Sequence, residues 1–147
     1  MNTITKTVAA VIAMFVGGII YMFWRGDSLI MFTWFDVLGI KSQVQTLRMY
    51  AEPYSNILPR WFIFSLPQAL WLFSGIVGFI CIWGKNDVLN KRFWIITFCI
   101  IAFGFEFGQY IGLVSGYFDI IDIIFMIMAV KSKKFCKMSL RCVCVSL

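Results

Sequence analysis

The chain has 147 residues, 61% of them hydrophobic and 14% charged, with a net charge of +6 and no histidine. A soluble domain is about 45–50% apolar and about 25% charged, and a chain this short has too little interior to hide the excess. The composition thus excludes an ordinary soluble domain and any histidine-based catalysis or metal site, and predicts an all-α polytopic membrane protein.

The first apolar span covers about 7–24, TVAAVIAMFVGGIIYMFW, and carries no charge. Its length, its aromatic end and its lack of a small-residue cleavage site make it a retained helix and not a signal peptide. Residues 25–60 follow as a connection too long to be plain coil. Within it SLIMFTWFDVLGI, closed by Gly39, is too apolar for a solvated loop, and predicts an interfacial or re-entrant helix. QVQTLRMYAEP predicts a second short helix stopped before Pro53.

The second span covers about 61–83, the third about 93–114, and the fourth, shorter, about 117–130. These four spans form one transmembrane helical domain, 1–130, followed by a basic tail, 131–147. Lys6, the loop residues Lys85, Lys91 and Arg92, and the tail residues Lys131, Lys133, Lys134, Lys137 and Arg141 then share one side of the membrane. The other side has only Arg25, Lys41, Arg48 and Arg60, so both termini are expected in the cytoplasm. The basic excess is assigned to anionic lipid and not to nucleic acid. Cys81 and Cys99 read as ordinary apolar residues, and the tail cysteines Cys136, Cys142 and Cys144 lie on the reducing side.

Polar groups inside the spans carry the functional information, because lipid cannot satisfy them. Glu106 lies 13 residues beyond Phe93 in the sequence, roughly 20 Å into a core about 30 Å thick. Gln109 shares its face at i, i+3 spacing, and Asp119 and Asp122 repeat that spacing at the start of the fourth span. Gln68 sits about two turns into the second span, with Pro67 and Ser65 beside it. All of these groups fall in the outer half of the membrane. Glu106 is therefore expected within direct or one-water reach of another segment, with Gln68 the favoured amide and Arg60 the favoured cation.

Glu106-x-x-Gln109 followed by Gly116-x-Phe118-Asp119-x-x-Asp122, with RWFIFSLPQALW before it, resembles the pattern of VanZ-like bacterial membrane proteins. Where similar proteins carry Asn and then Gly after the last Asp, this chain has Met126 and Ala129. The resemblance implies a place in the bacterial cytoplasmic membrane and a part in envelope stress or glycopeptide tolerance.

The resulting expectation is a ligand-binding pocket formed by Arg60, Gln68, Glu106, Gln109, Asp119 and Asp122 in the outer leaflet. Its occupant is a lipid head group, a lipid-linked envelope precursor or an envelope protein handling one. No cofactor is read from the sequence, although three carboxyls at one depth suit a divalent cation bridging to phosphate. The alternative is an intramembrane enzyme using Glu106 as acid or base on a lipid-linked ester or phosphate. It lacks a convincing nucleophile–base pair, since Ser115 has no activating partner in the sequence. Asp119 also has a plain structural reading, as the cap of the helix that follows.

Overall fold

The computed structural model describes residues 3–26, 30–83, 87–114 and 118–131. The expected tail beyond Lys131, the Lys85 loop and the Ser115–Gly116 part of the reversal lie outside the described residues. Those that are described form helices α1 (Thr3–Trp24), α2 (Ile30–Val37), α3 (Lys41–Ala51), α4 (Arg60–Trp83), α5 (Val88–Tyr110) and α6 (Ile120–Lys131). A 3-10 turn, Glu52–Asn56, separates α3 from α4. Among the described residues three helices, α1, α4 and α5, are long and apolar enough to cross a membrane. α6 has 12 residues, a length of about 18 Å at 1.5 Å per residue.

The expected α5 boundaries move at both ends, and local chemistry explains each shift. The helix starts before Phe93 because Asp87 caps it: its Oδ1 accepts from the Asn90 N–H at 3.1 Å. The helix stops before 114 because Gly112 takes φ +76°. The N–H of Leu113 then donates to the Gly108 carbonyl at 2.8 Å and that of Gly112 to the Gln109 carbonyl at 3.2 Å. This pair of bonds satisfies the last carbonyls of the helix and needs the left-handed residue that glycine supplies. Gly39, at φ +71°, ends α2 in the same way, with Ile40 N–H bonded to the Phe35 carbonyl at 3.0 Å.

α4 is the central helix. α1, α5 and α6 all pack on it, while α5 and α6 touch each other only lightly. The short reversal predicts α5 and α6 as antiparallel neighbours with their polar faces turned toward each other or toward the second span, and the buried stripe of each turns toward α4. The core consists of Leu72, Ile76 and Ile80 on α4 and Met126 on α6, with Phe98 and Phe103 of α5 packed against it. α4 runs through Pro67 without a break.

α1 buries Lys6, Ala10, Ala13, Gly17 and Ile20, a stripe at alternating spacings of four and three. Its small members bring two backbones close, the device membrane helices use where no hydrophobic force drives them together. Ser74 Oγ donates to the Ala10 carbonyl at 2.9 Å and Trp71 Nε1 to the Met14 carbonyl at 3.3 Å. A Cβ added at Gly17 would lie 2.8 Å from Trp71 Nε1 and 3.3 Å from the Pro67 carbonyl oxygen. Gly17→Leu is therefore expected to lower stability in detergent by about 1–3 kcal/mol through overpacking. Gly18 has open space around an added Cβ, so Gly18→Leu is the control, and denaturant midpoints of the two variants check the difference.

The connection 25–60 folds against the end of α1. Arg48 donates from Nη1 to the Met22 carbonyl and from Nη2 to the Arg25 carbonyl, each at 2.6 Å. Trp24 Nε1 donates to the Ala51 carbonyl at 3.0 Å. The two expected short helices are thus present as α2 and α3, and the structure pins α3 to α1.

Candidate functional site

Each stripe that faces the core ends in a polar residue. On α4 the line Ile80–Ile76–Leu72 continues to Gln68 and Ser65. On α5 Phe103 is followed by Glu106, and on α6 Met126 is preceded by Asp122 at i−4. The spacings that build the core thus carry the polar groups to the same level, at the end of the bundle that holds Arg25. There Gln68 Nε2 donates to Glu106 Oε1 at 2.8 Å. Asp122 lies within Coulomb range of Glu106 and faces the Ser65 hydroxyl without closing a hydrogen bond.

These groups are deep. Glu106 and Ser65 are 0% exposed and Asp122 is 6% exposed. Yet Ser65 Oγ, Gln68 Oε1, Glu106 Oε2 and Asp122 Oδ1 are buried without a hydrogen-bond partner. Four such atoms from three helices, gathered in one place, are unusual, since most buried polar side-chain atoms in folded proteins are paired.

The remaining expected site residues stand apart from this core. Asp119 is exposed, and its Oδ1 accepts the Ile121 N–H at 2.9 Å. That is the geometry of a helix cap, and it accounts for the residue, although its charge still reaches Glu106 and Asp122. Gln109 is half-buried and forms no hydrogen bond with the Gln68–Glu106 pair. Residues three apart on a helix differ by about 60° in direction, enough to turn one of them away.

The favoured cation is corrected. Arg60 is exposed at the first position of α4 and does not act on either buried carboxyl, whereas Arg25 acts on both. Helical side chains lean toward the N-terminus of their helix. Arg60, opening α4, is thereby aimed out of the bundle. Arg25, closing α1 with its N–H on the Tyr21 carbonyl at 3.2 Å, is aimed back into it. Its guanidinium sits over the rings of Tyr21, at 5.1 Å, and Phe64, at 4.8 Å, and its Nε is buried without a partner. Ser65 was the other omission from the expected pocket, although its i−3 spacing from Gln68 placed it on the same face.

Arg25 also lines an open groove of about 730 Å³ at this end of the bundle, with Trp24, Ser42, Thr46, Arg48 and Glu52. One side chain therefore lines the groove and acts through space on the buried carboxyls. Among the described residues no group of three or more His, Cys, Asp or Glu is placed to hold a metal ion. Chemically, the site combines two carboxyls, an amide oxygen and a hydroxyl in a dry interior with a guanidinium at its edge. Comparison with family models, with curated proteins and with solved structures gives no match to this chain.

Proposed function

We propose that the chain is a VanZ-like protein of the bacterial cytoplasmic membrane whose polar pocket binds an amphiphile from the outer leaflet. In this reading α6 is the fourth span, and both termini lie in the cytoplasm by the positive-inside rule. α2 and α3 lie in the outer interface, where the exposed Trp34, Val37 and Leu38 meet the acyl boundary. The ligand is a lipid head group or the head of a lipid-linked envelope precursor, and the physiological consequence is tolerance of envelope stress or of glycopeptides.

One observation carries the reading. Four buried polar atoms on α4, α5 and α6 have no partner at a depth where lipid offers none. Helix association alone does not require two carboxyls at one level, and leaving them open is costly. A ligand that completes their hydrogen bonds removes that cost.

Lipid extracted from the purified chain and read by mass spectrometry tests this. The wild-type protein is expected to retain one amphiphile at close to stoichiometric amount. Glu106→Gln, which keeps size and removes charge, is expected to lose it at least tenfold and to lose any envelope phenotype conferred by the wild type. A variant that expresses normally and carries the same lipid profile would sink the pocket.

A further inference from the structure

We propose that the occupant of this pocket enters it with a primary ammonium group and presents a phosphate to Arg25. The inference rests on the pocket reading above and names the chemistry of its ligand. The open atoms are nearly all of one kind. Gln68 Oε1, Glu106 Oε2 and Asp122 Oδ1 are unpartnered acceptors, and Ser65 Oγ is able to accept as well. The amide orientation follows from its bond. Gln68 spends an Nε2 hydrogen on Glu106 Oε1, which leaves its oxygen for the ligand.

A phosphate or carboxylate would bring more acceptors and a like charge to this place. A primary ammonium brings three N–H donors for three open acceptors, and a quaternary ammonium brings none. Charge leads to the same choice. Glu106 and Asp122 are buried carboxyls, and among the described residues Arg25 is the cation that acts on both. Asp119, whose charge also reaches both, offsets Arg25, so an entering cation meets a place short of positive charge. A hard divalent cation takes about six to eight oxygens, and the described residues offer no metal-binding group of three or more acidic, His or Cys side chains.

The opposite polarity lies next to this cluster. Arg25 Nε is a buried donor without a partner, and Arg25 also lines the open groove. Acceptors inside and an open donor at the rim match a zwitterion, with its amine inward and its phosphate on the guanidinium. An ethanolamine phosphate head has this arrangement, as part of a phospholipid or as the free soluble molecule.

The full-length chain in nanodiscs of equal phosphatidylethanolamine, phosphatidylcholine and phosphatidylglycerol tests the inference, with bound lipid counted by native mass spectrometry. Wild-type protein is expected to hold phosphatidylethanolamine at least tenfold over the other two. Glu106→Gln and Asp122→Asn are each expected to bring the preference close to one. Ser65→Ala, a small change, is expected to reduce it several-fold and serves if the carboxyl variants do not fold. Binding of free phosphoethanolamine with the same dependence on Glu106 supports the ammonium and makes the soluble source sufficient. Equal retention of all three lipids, lost in Glu106→Gln, overturns the ammonium while the pocket stands. Stabilisation by Mg²⁺ or Ca²⁺ alone, abolished by the same variants, overturns it in favour of a cation. If bound lipid depends on none of Glu106, Asp122 and Ser65, the pocket reading falls as well.

Discussion

Gln68→Leu is expected to destabilise the folded chain by about 1–3 kcal/mol, the cost of leaving a buried acceptor without its donor. Gln68 supplies the direct hydrogen bond to Glu106, at 2.8 Å, and Glu106 is wholly buried. The bond itself accounts for little of this, since side-chain hydrogen bonds between membrane helices average about 0.6 kcal/mol. Most of the effect comes from a carboxyl oxygen that keeps no hydrogen-bonded neighbour in a dry interior. Replacing both partners should behave differently. Gln68→Leu/Glu106→Leu removes donor and acceptor together and fills the gap with hydrocarbon, so it should recover wild-type stability or exceed it. Unfolding in mixed micelles, followed by tryptophan fluorescence, measures all three proteins. A single-variant loss no larger than the hydrogen bond alone would mean that Glu106 is not held as a charge. A double variant more stable than the wild type would show that the pair is kept for something other than stability.

The spans were legible because the apolar runs 7–24 and 61–83 leave lipid as the only solvent able to take them, and α1 and α4 occupy those stretches. The meeting of Gln68 and Glu106 was legible too. Each lies within about two turns of the same end of the bundle, and neither can face lipid. Direction was harder to read than depth. Arg25 and Arg60 mark the same end of the bundle, and composition does not distinguish them. The lean of helical side chains does, and it favours the arginine that closes a helix over the one that opens the next. The lightness of the α5–α6 contact could not be read from the reversal joining them, because loop length limits how far apart two helices sit and not what lies between them. Asp87 as a cap carried a local signal, an acidic residue just ahead of a helical run, that the hydropathy pattern hides by placing the boundary at Phe93.

Arg48→Ala is expected to release α3 from the end of α1 while leaving the spanning bundle folded. The last carbonyls of a helix have no partner within it. Arg48 takes two of those at the end of α1, Met22 and Arg25, with two donors of one guanidinium, and lies 4.6 Å over the Phe32 ring. Hydrogen bonds to a charged group contribute about 1.5–3 kcal/mol each, so the pair amounts to about 3 kcal/mol at the low end. Local opening of α3 should become easier by about a hundredfold, at about 1.4 kcal/mol per factor of ten. Amide hydrogen exchange reports this directly, because each segment exchanges through its own opening equilibrium. The change should appear across Lys41–Ala51 and leave the amides of α4 unmoved. Arg48→Lys should recover little of it, since a single ammonium lacks the rigid fork that reaches both carbonyls together. Unchanged exchange in α3 would mean that the Trp24–Ala51 bond and apolar contacts suffice to hold it. Because one of the two carbonyls belongs to Arg25, the cation beside the buried carboxyls, loss of Arg48 should also loosen that guanidinium. Arg48 is in this sense a positioning residue: Arg48→Ala should weaken lipid retention several-fold without touching Glu106, Asp122 or Ser65.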